Sequence, residues 1–243
     1  MNESILTIPQ KLRQLTDSYE QVQRLRIQTN NRVEAIKRGA DEANTNFVAP
    51  ESQISLIQRL EASENQIVEE MNSMLVDHPA WPWLSQIRGI GPTLAGKLLG
   101  HIGGVDICPN VAKLWRFAGF AVIDDKAERL HKGEPAHFNR RLKTVCYLVG
   151  VSFLRTGSPY KVIYDNHKKR YQEVHPDWTP QHIHLAALRK MIKLFLSHLW
   201  ETWRVAEGLD VRPPYAIEYL KHTTYRDPWS FITVKKSSRK KAS

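Results

Sequence analysis

The residues best placed to do chemistry lie between Ile87 and Lys97, which read IRGIGPTLAGK. Gly89 and Gly91 allow a tight turn with positive φ and no Cβ clash. Ile90 between them can plug the gap between two helices. A helix opening at Pro92 leaves its first amides without intrahelical acceptors, and its dipole adds positive potential there. Such an end can hold a phosphate oxygen. Arg88, Gly89, Ile90, Gly91 and Thr93 form the candidate contact, and Lys97, one turn on, can add a charge. The pattern predicts a helix-hairpin-helix bend that grips a nucleic-acid backbone without reading bases. The plain alternative is a glycine turn between packed helices.

A second candidate surface follows. The stretch from Cys108 to about Arg170 carries Lys113, Arg116, Lys126, Arg129, Lys132, Arg140, Arg141 and Lys143. The spacing predicts a helix from His137 to Arg155 that buries Leu142, Val145, Val149 and Phe153. Asn139, Arg140, Arg141 and Lys143 cluster at its start. Cations there oppose the helix dipole, so an external anion would relieve them. Tyr160, Tyr164 and Tyr171 interleave with lysines and could stack on bases. At helical spacing they share one face and read as core.

Other chemistries find little support. Asp124, Asp125 and Glu128 could hold metal ions as nucleases do, but read equally as loop charges. His182 and His184 sit two apart, which on a helix puts them on different faces. Ser158 before Pro159 reads as a helix cap. GHIGG lacks the lysine and spacing of a phosphate-binding loop. No metal and no cofactor are expected.

The elements that must position these groups are read as almost all helical. The chain has 243 residues, a net charge of +10 and 42% apolar residues. That is enough apolar mass for a core, and the charge points to a polyanion such as nucleic acid. Mean hydropathy is −0.45, and no apolar run is long enough for a membrane span. The start has no secretory pattern, and two cysteines fit a reducing cytoplasm. Residues 1–77 read as two long helices with a heptad seam, interrupted by Arg26, Thr29 and Glu64. They form a hairpin packing on itself or one strand of a homodimer; a dimer is the expectation. The alternative is two amphipathic helices lying on the main domain. Pro50 suits a first helical turn. Residues 78–210 form the helical nucleic-acid-binding domain. They hold a loop or small hairpin within 119–137 and a long helix from about Pro180 to Glu207. Residues 211–243 form an irregular extension, with Pro213 and Pro214, and a basic tail read as disordered.

The ordered motifs resemble the C-terminal transposase domain of the bridge-RNA-guided insertion-sequence one-ten family. There a coiled coil leads into a Pro-Gly-Ile-Gly-Pro hairpin, then a "lxxYaGl" segment and an Arg-rich "kRgNrrLRraL" helix. Here Arg88-Gly89-Ile90-Gly91-Pro92, Leu114 to Phe120 (LWRFAGF) and Asn139-Arg140-Arg141-Leu142-Lys143 take those places, within a resemblance spanning about residues 50 to 205. Two features depart from the pattern. Family members begin with a RuvC-like nuclease domain carrying four acidic residues, which has no counterpart here. The family's nucleophilic serine lies between the last two motifs, where this chain reads VIDDKAERLHKGEPAH with no Ser or Thr. The resemblance implies the fold and nucleic-acid contact without strand transfer. The expected protein is a mainly α, non-catalytic, nucleoid-associated DNA-binding homodimer acting in transposition or other mobile-element recombination. It could work beside a separate recombinase. An active transposase completed by a partner chain and a guide-RNA-binding component are the alternatives, as is a structural protein with an acidic partner.

Overall fold

The first helix, α1 (Ile8–Glu42), opens where the Gln10 side chain accepts the Thr7 amide at 2.9 Å. It runs antiparallel to α2 (Glu51–Val76). The polar residues that interrupt the apolar seam meet each other: the Arg26 guanidinium forks onto both oxygens of the Glu64 carboxylate. A two-pronged pair of this kind fixes register as well as charge. The two helices therefore close on one another within a single chain, as one of the readings held. Pro50 stands one residue before the first helical position, in extended backbone (φ −55°, ψ 135°). It ends the connection instead of starting the helix.

The computed structural model describes residues 6–43, 45–46, 48–123, 126–130, 132–133, 135–211 and 225–232. Beyond α2 come α3 (Trp81–Leu84), α4 (Pro92–Ile102) and α5 (Val111–Phe117). A two-residue antiparallel hairpin follows, β1 (Val122–Ile123) with β2 (Lys126–Ala127), inside the stretch expected to hold one. Then come α6 (Arg140–Thr156), α7 (Lys161–Val174) and α8 (Pro180–Ala206), with a 3-10 turn at Pro228–Phe231. The fold is mainly α, as expected. Pro213, Pro214 and the basic tail lie outside the described residues.

Helix α8 is the centre. From Met191 to Trp203 its apolar and small polar side chains are buried nearly all round, which marks a core helix rather than a surface one. Its indoles keep their N–H groups satisfied: Trp200 donates to the Cys108 carbonyl at 2.6 Å, Trp203 to Glu207 at 2.6 Å. Phe153 and Tyr160 pack edge-on against its Phe195, and Tyr160 stacks on Phe231 at 4.6 Å. Tyr160 and Tyr164 are buried and Tyr171 is half-buried against the same core, so the tyrosine face serves packing. Ser158 caps nothing. Helix α7 starts three residues later, and the Ser158 hydroxyl is buried without a partner among the described residues.

What brings α1 and α2 onto this core is the small face of α4. A Cβ on Gly96 would stand 3.1 Å from the Met71 sulfur on α2. On Gly100 it would stand 2.8 Å from the backbone nitrogen of Arg13 and 3.0 Å from its Cα. Only glycine permits that approach of two helix backbones. Leu12, Met71 and Leu75 accordingly join the same buried cluster as Leu98, Leu99 and Phe195.

Two buried imidazoles, His78 and His198, are held neutral by desolvation, with pKa values lowered to about 4. The Tyr160 hydroxyl bonds His198 Nδ1 at 2.7 Å. Two outcomes follow. Gly100→Val lowers unfolding stability by about 2–3 kcal/mol in denaturant titration, while Gly39→Ala, with nothing within 4 Å of the added Cβ, does not lower it. Between pH 6.5 and 4 the unfolded chain binds protons at His78 and His198 more tightly than the folded one. The melting temperature therefore falls as pH drops through that window, and less steeply in a His78→Gln/His198→Gln variant.

Candidate nucleic-acid interface

The glycine bend is open on its outer side. Helix α3 has four residues, and beyond it the chain enters α4 through two reverse turns. These are closed by Ile87 N–H to the Leu84 carbonyl (3.2 Å) and Ile90 N–H to the Ile87 carbonyl (3.1 Å). The first arm of the expected hairpin is thus a single short turn of helix. Gly89 has φ +99°, a conformation that glycine takes freely. Ile90 is buried between the elements, as expected of a plug. Gly91 is exposed and is the N-cap of α4, and Pro92 has no N–H to satisfy. The next amides, Thr93 and Leu94, have no acceptor among the described residues, and Arg88 is exposed beside them.

Lys97 does not reach this end. It is 7% exposed, its ammonium lies 3.1 Å from Glu20 on α1 and 5.0 Å from the centre of the Tyr19 ring. Close packing at Gly100 draws α1 over it, so it serves the α1–α4 contact.

Helix α6 begins at Arg140, later than the sequence suggests, because Asn139 is its cap: the side-chain oxygen accepts the Leu142 amide at 3.0 Å. The Asn139 amide group donates to the His101 carbonyl at 3.2 Å, so both ends of this side chain are committed inside the protein. Arg140 is exposed, with no carboxylate at ion-pair distance among the described residues. Arg141, also exposed, pairs with Asp17 of α1. Lys143 is half-buried, donates to the Glu128 backbone carbonyl at 3.1 Å and lies over Phe138. Desolvation and then Arg189 lower its pKa. Lys113, Arg116, Lys126, Arg129 and Lys132 are exposed.

These contacts also orient the two candidate surfaces. Ser152, near the end of α6, donates to the Gly89 carbonyl at 2.7 Å. Asn139, at the start of α6, reaches the far end of α4. The two helices are antiparallel, and the bend and the Arg140–Arg141 pair sit at opposite ends of α6. At 1.5 Å per residue that is about 20 Å apart. They are two surfaces at the two ends of one helix. Near the bend the structure brings in Ser152, Phe153 and Thr156, none of which the motif names. Their signal is weak because the contact is between distant segments.

A cavity of about 550 Å³ opens between the β-hairpin, α6 and the start of α8. Arg129 and Lys143 line it, together with Glu128 and Arg189. Arg189 sits in the apolar pattern of α8 and donates to the Phe120 and Ala121 carbonyls at 2.6 and 2.7 Å. Desolvation lowers its pKa, and that of Lys193 falls to about 8 for the same reason, with Arg189 and Lys190 adding repulsion. His182 stacks on Trp178 at 4.0 Å while His184 bonds Tyr164 at 2.7 Å, so the two histidines do diverge. Asp124 and Asp125 lie outside the described residues, and among the described residues no three His, Cys, Asp or Glu side chains gather as metal ligands.

A Cβ at residue 89 would stand 2.7 Å from Thr156 Oγ1 and 3.2 Å from Ser152 Oγ, at a φ that side chains resist. Gly89→Ala should lower stability by about 1–3 kcal/mol in chemical denaturation, with helical content of the folded state unchanged by circular dichroism.

No family model matches the chain, and no solved structure matches it. A curated protein of Streptomyces coelicolor, "Insertion element IS110 uncharacterized 43.6 kDa protein", is 25% identical over 151 residues. The match covers 61% of this chain and 35% of that protein. The chain thus spans about a third of the length of this relative, to which it bears a distant relationship.

Proposed function

We propose that the chain is a non-catalytic DNA-binding protein of transposition or other mobile-element recombination. The observation that carries this reading is the open start of α4: unpaired amides at Thr93 and Leu94 beside exposed Arg88, on a chain of net charge +10. A backbone end of this kind binds phosphate without regard to sequence. The distant likeness to an insertion-element protein supplies the setting. The want of a hydroxyl between residues 122 and 137 supports the non-catalytic part.

Arg140 and Arg141 would form a second backbone contact. A separation of about 20 Å along α6 corresponds to about six base pairs of duplex. Lys113, Arg116, Lys126, Arg129 and Lys132 would add longer-range attraction. Homodimerisation would use the outer half of the α1–α2 hairpin, where no residue of α1 beyond Thr29 and none of α2 before Glu64 is buried. Leu25, Ile27, Ile36 and Ile54 are exposed on these helices. A dimer would hold two DNA segments for a separate recombinase.

Binding to random duplexes should weaken linearly on a logarithmic salt scale. Arg88→Glu and Arg140→Glu should each reduce affinity about tenfold, similarly for every sequence. Each lost phosphate contact should flatten the salt slope by about one unit. Affinity that ignores salt, or is unchanged in both variants, defeats the reading.

A further inference from the structure

The cavity between the β-hairpin, α6 and α8 contains an anomaly. Glu128 lines it, is 9% exposed, and neither carboxylate oxygen has a hydrogen-bond partner among the described residues. Burying a carboxylate without donors is costly, and native proteins rarely leave one so. The nearest cations do not answer it directly. Arg189 places both of its hydrogen bonds, from Nη2, on the Phe120 and Ala121 carbonyls, and Lys143 donates to the Glu128 backbone carbonyl, so neither sets a donor on the carboxylate. Both sit close enough for Glu128 to raise their pKa values against the larger lowering by desolvation.

A partner that satisfies it brings N–H or O–H donors. It cannot be a cation, because Arg129, Lys143 and Arg189 line the same cavity and would repel one. The remaining walls include Phe120, Tyr147, Leu185 and Leu188, which suit a flat, weakly polar ring. At one side the cavity meets the start of α8. There Thr179 Oγ1 accepts the His182 amide at 3.2 Å, Pro180 has no N–H, and the Gln181 amide has no acceptor among the described residues. A phosphate is favoured at that end of a 27-residue helix.

Two adjacent donors on a neutral ring, with an anion on the same molecule, describe a guanine nucleotide. Guanine presents N1–H and its N2 amino group side by side, matching two carboxylate oxygens. Adenine, cytosine and thymine each set an acceptor beside their donor, which a carboxylate repels. We propose that this cavity takes an unpaired guanine, its N1–H and N2 amino group donating to the Glu128 carboxylate and its phosphate lying toward the start of α8. Taking that guanine from a DNA strand rests on the nucleic-acid reading above; capturing the free nucleotide does not. The phosphate contacts of α4 and α6 ignore sequence, so this cavity would be the place where one base is chosen.

The test uses the full chain and calorimetry. The ligands are 2′-deoxyguanosine, 2′-deoxyinosine and 2′-deoxyadenosine 5′-monophosphates, then thymine oligonucleotides carrying one central guanine or one central adenine. The guanine nucleotide should bind about tenfold or more tighter than the other two. Glu128→Gln, checked for unchanged melting, should erase that preference. Tyr147→Ala, at a half-exposed position that threatens folding little, should weaken guanine nucleotide binding by a similar factor. A guanine preference in both nucleotide and oligonucleotide places the base in a strand. A preference confined to the nucleotide supports the same site with a free ligand. If duplex binding fails while the guanine nucleotide is still selected, the DNA-binding reading falls and the cavity stands. Equal affinity for guanine and adenine nucleotides, or a preference that survives Glu128→Gln, overturns the proposal.

Discussion

The contact on which the rest depends is the approach of α1 to α4 at Gly100. There one helix backbone lies against another at a distance that no side chain tolerates. Close packing of this sort gains dispersion over many atoms and turns a long amphipathic helix into part of the core. It also decides electrostatics at a distance. With α1 in place, Glu20 faces Lys97 and Asp17 faces Arg141. One cation that looked available to a ligand is enclosed, and another is partly answered. The start of α4 is left facing outward with Arg88.

The cations therefore divide by environment rather than by position in the chain. Arg26, Arg189, Lys143 and Arg204 are built into the structure through carboxylates or backbone carbonyls. Arg204, for example, donates to the Asp210 carbonyl at 2.7 Å and lies over Trp200. Removing such a group would leave buried acceptors unmatched, which costs more than an exposed ion pair contributes. Arg88, Arg140, Lys113 and Arg116 remain toward solvent. A net charge of +10 thus overstates what is free to meet a polyanion, and the arrangement of the free part matters more than its total.

The helices were legible because their cause is local. The stripe from Ile183 to Trp203 placed α8 within a residue at its C-terminal end, and the spacing of Leu142, Val145, Val149 and Phe153 located α6. The bend was legible too, since Gly-Ile-Gly-Pro constrains backbone geometry directly. Asn139 carries a cap signal three residues before Leu142, and folding commits its side chain to that cap and to the His101 carbonyl.

Residue order was enough to mark the elements, the plugged turn at Ile90 and the buried tyrosine face, because periodicity and glycine chemistry act over a few residues. The company each charged side chain keeps was settled by folding. Lys97 with Glu20, Arg26 with Glu64 and the solitary Glu128 beside Arg189 join segments 38 to 77 residues apart. Pairings at such separations depend on how helices cross and how closely they approach. For Lys97 and Glu20 that geometry follows from the glycines of α4, whose importance appears only when α1 and α2 are laid against them.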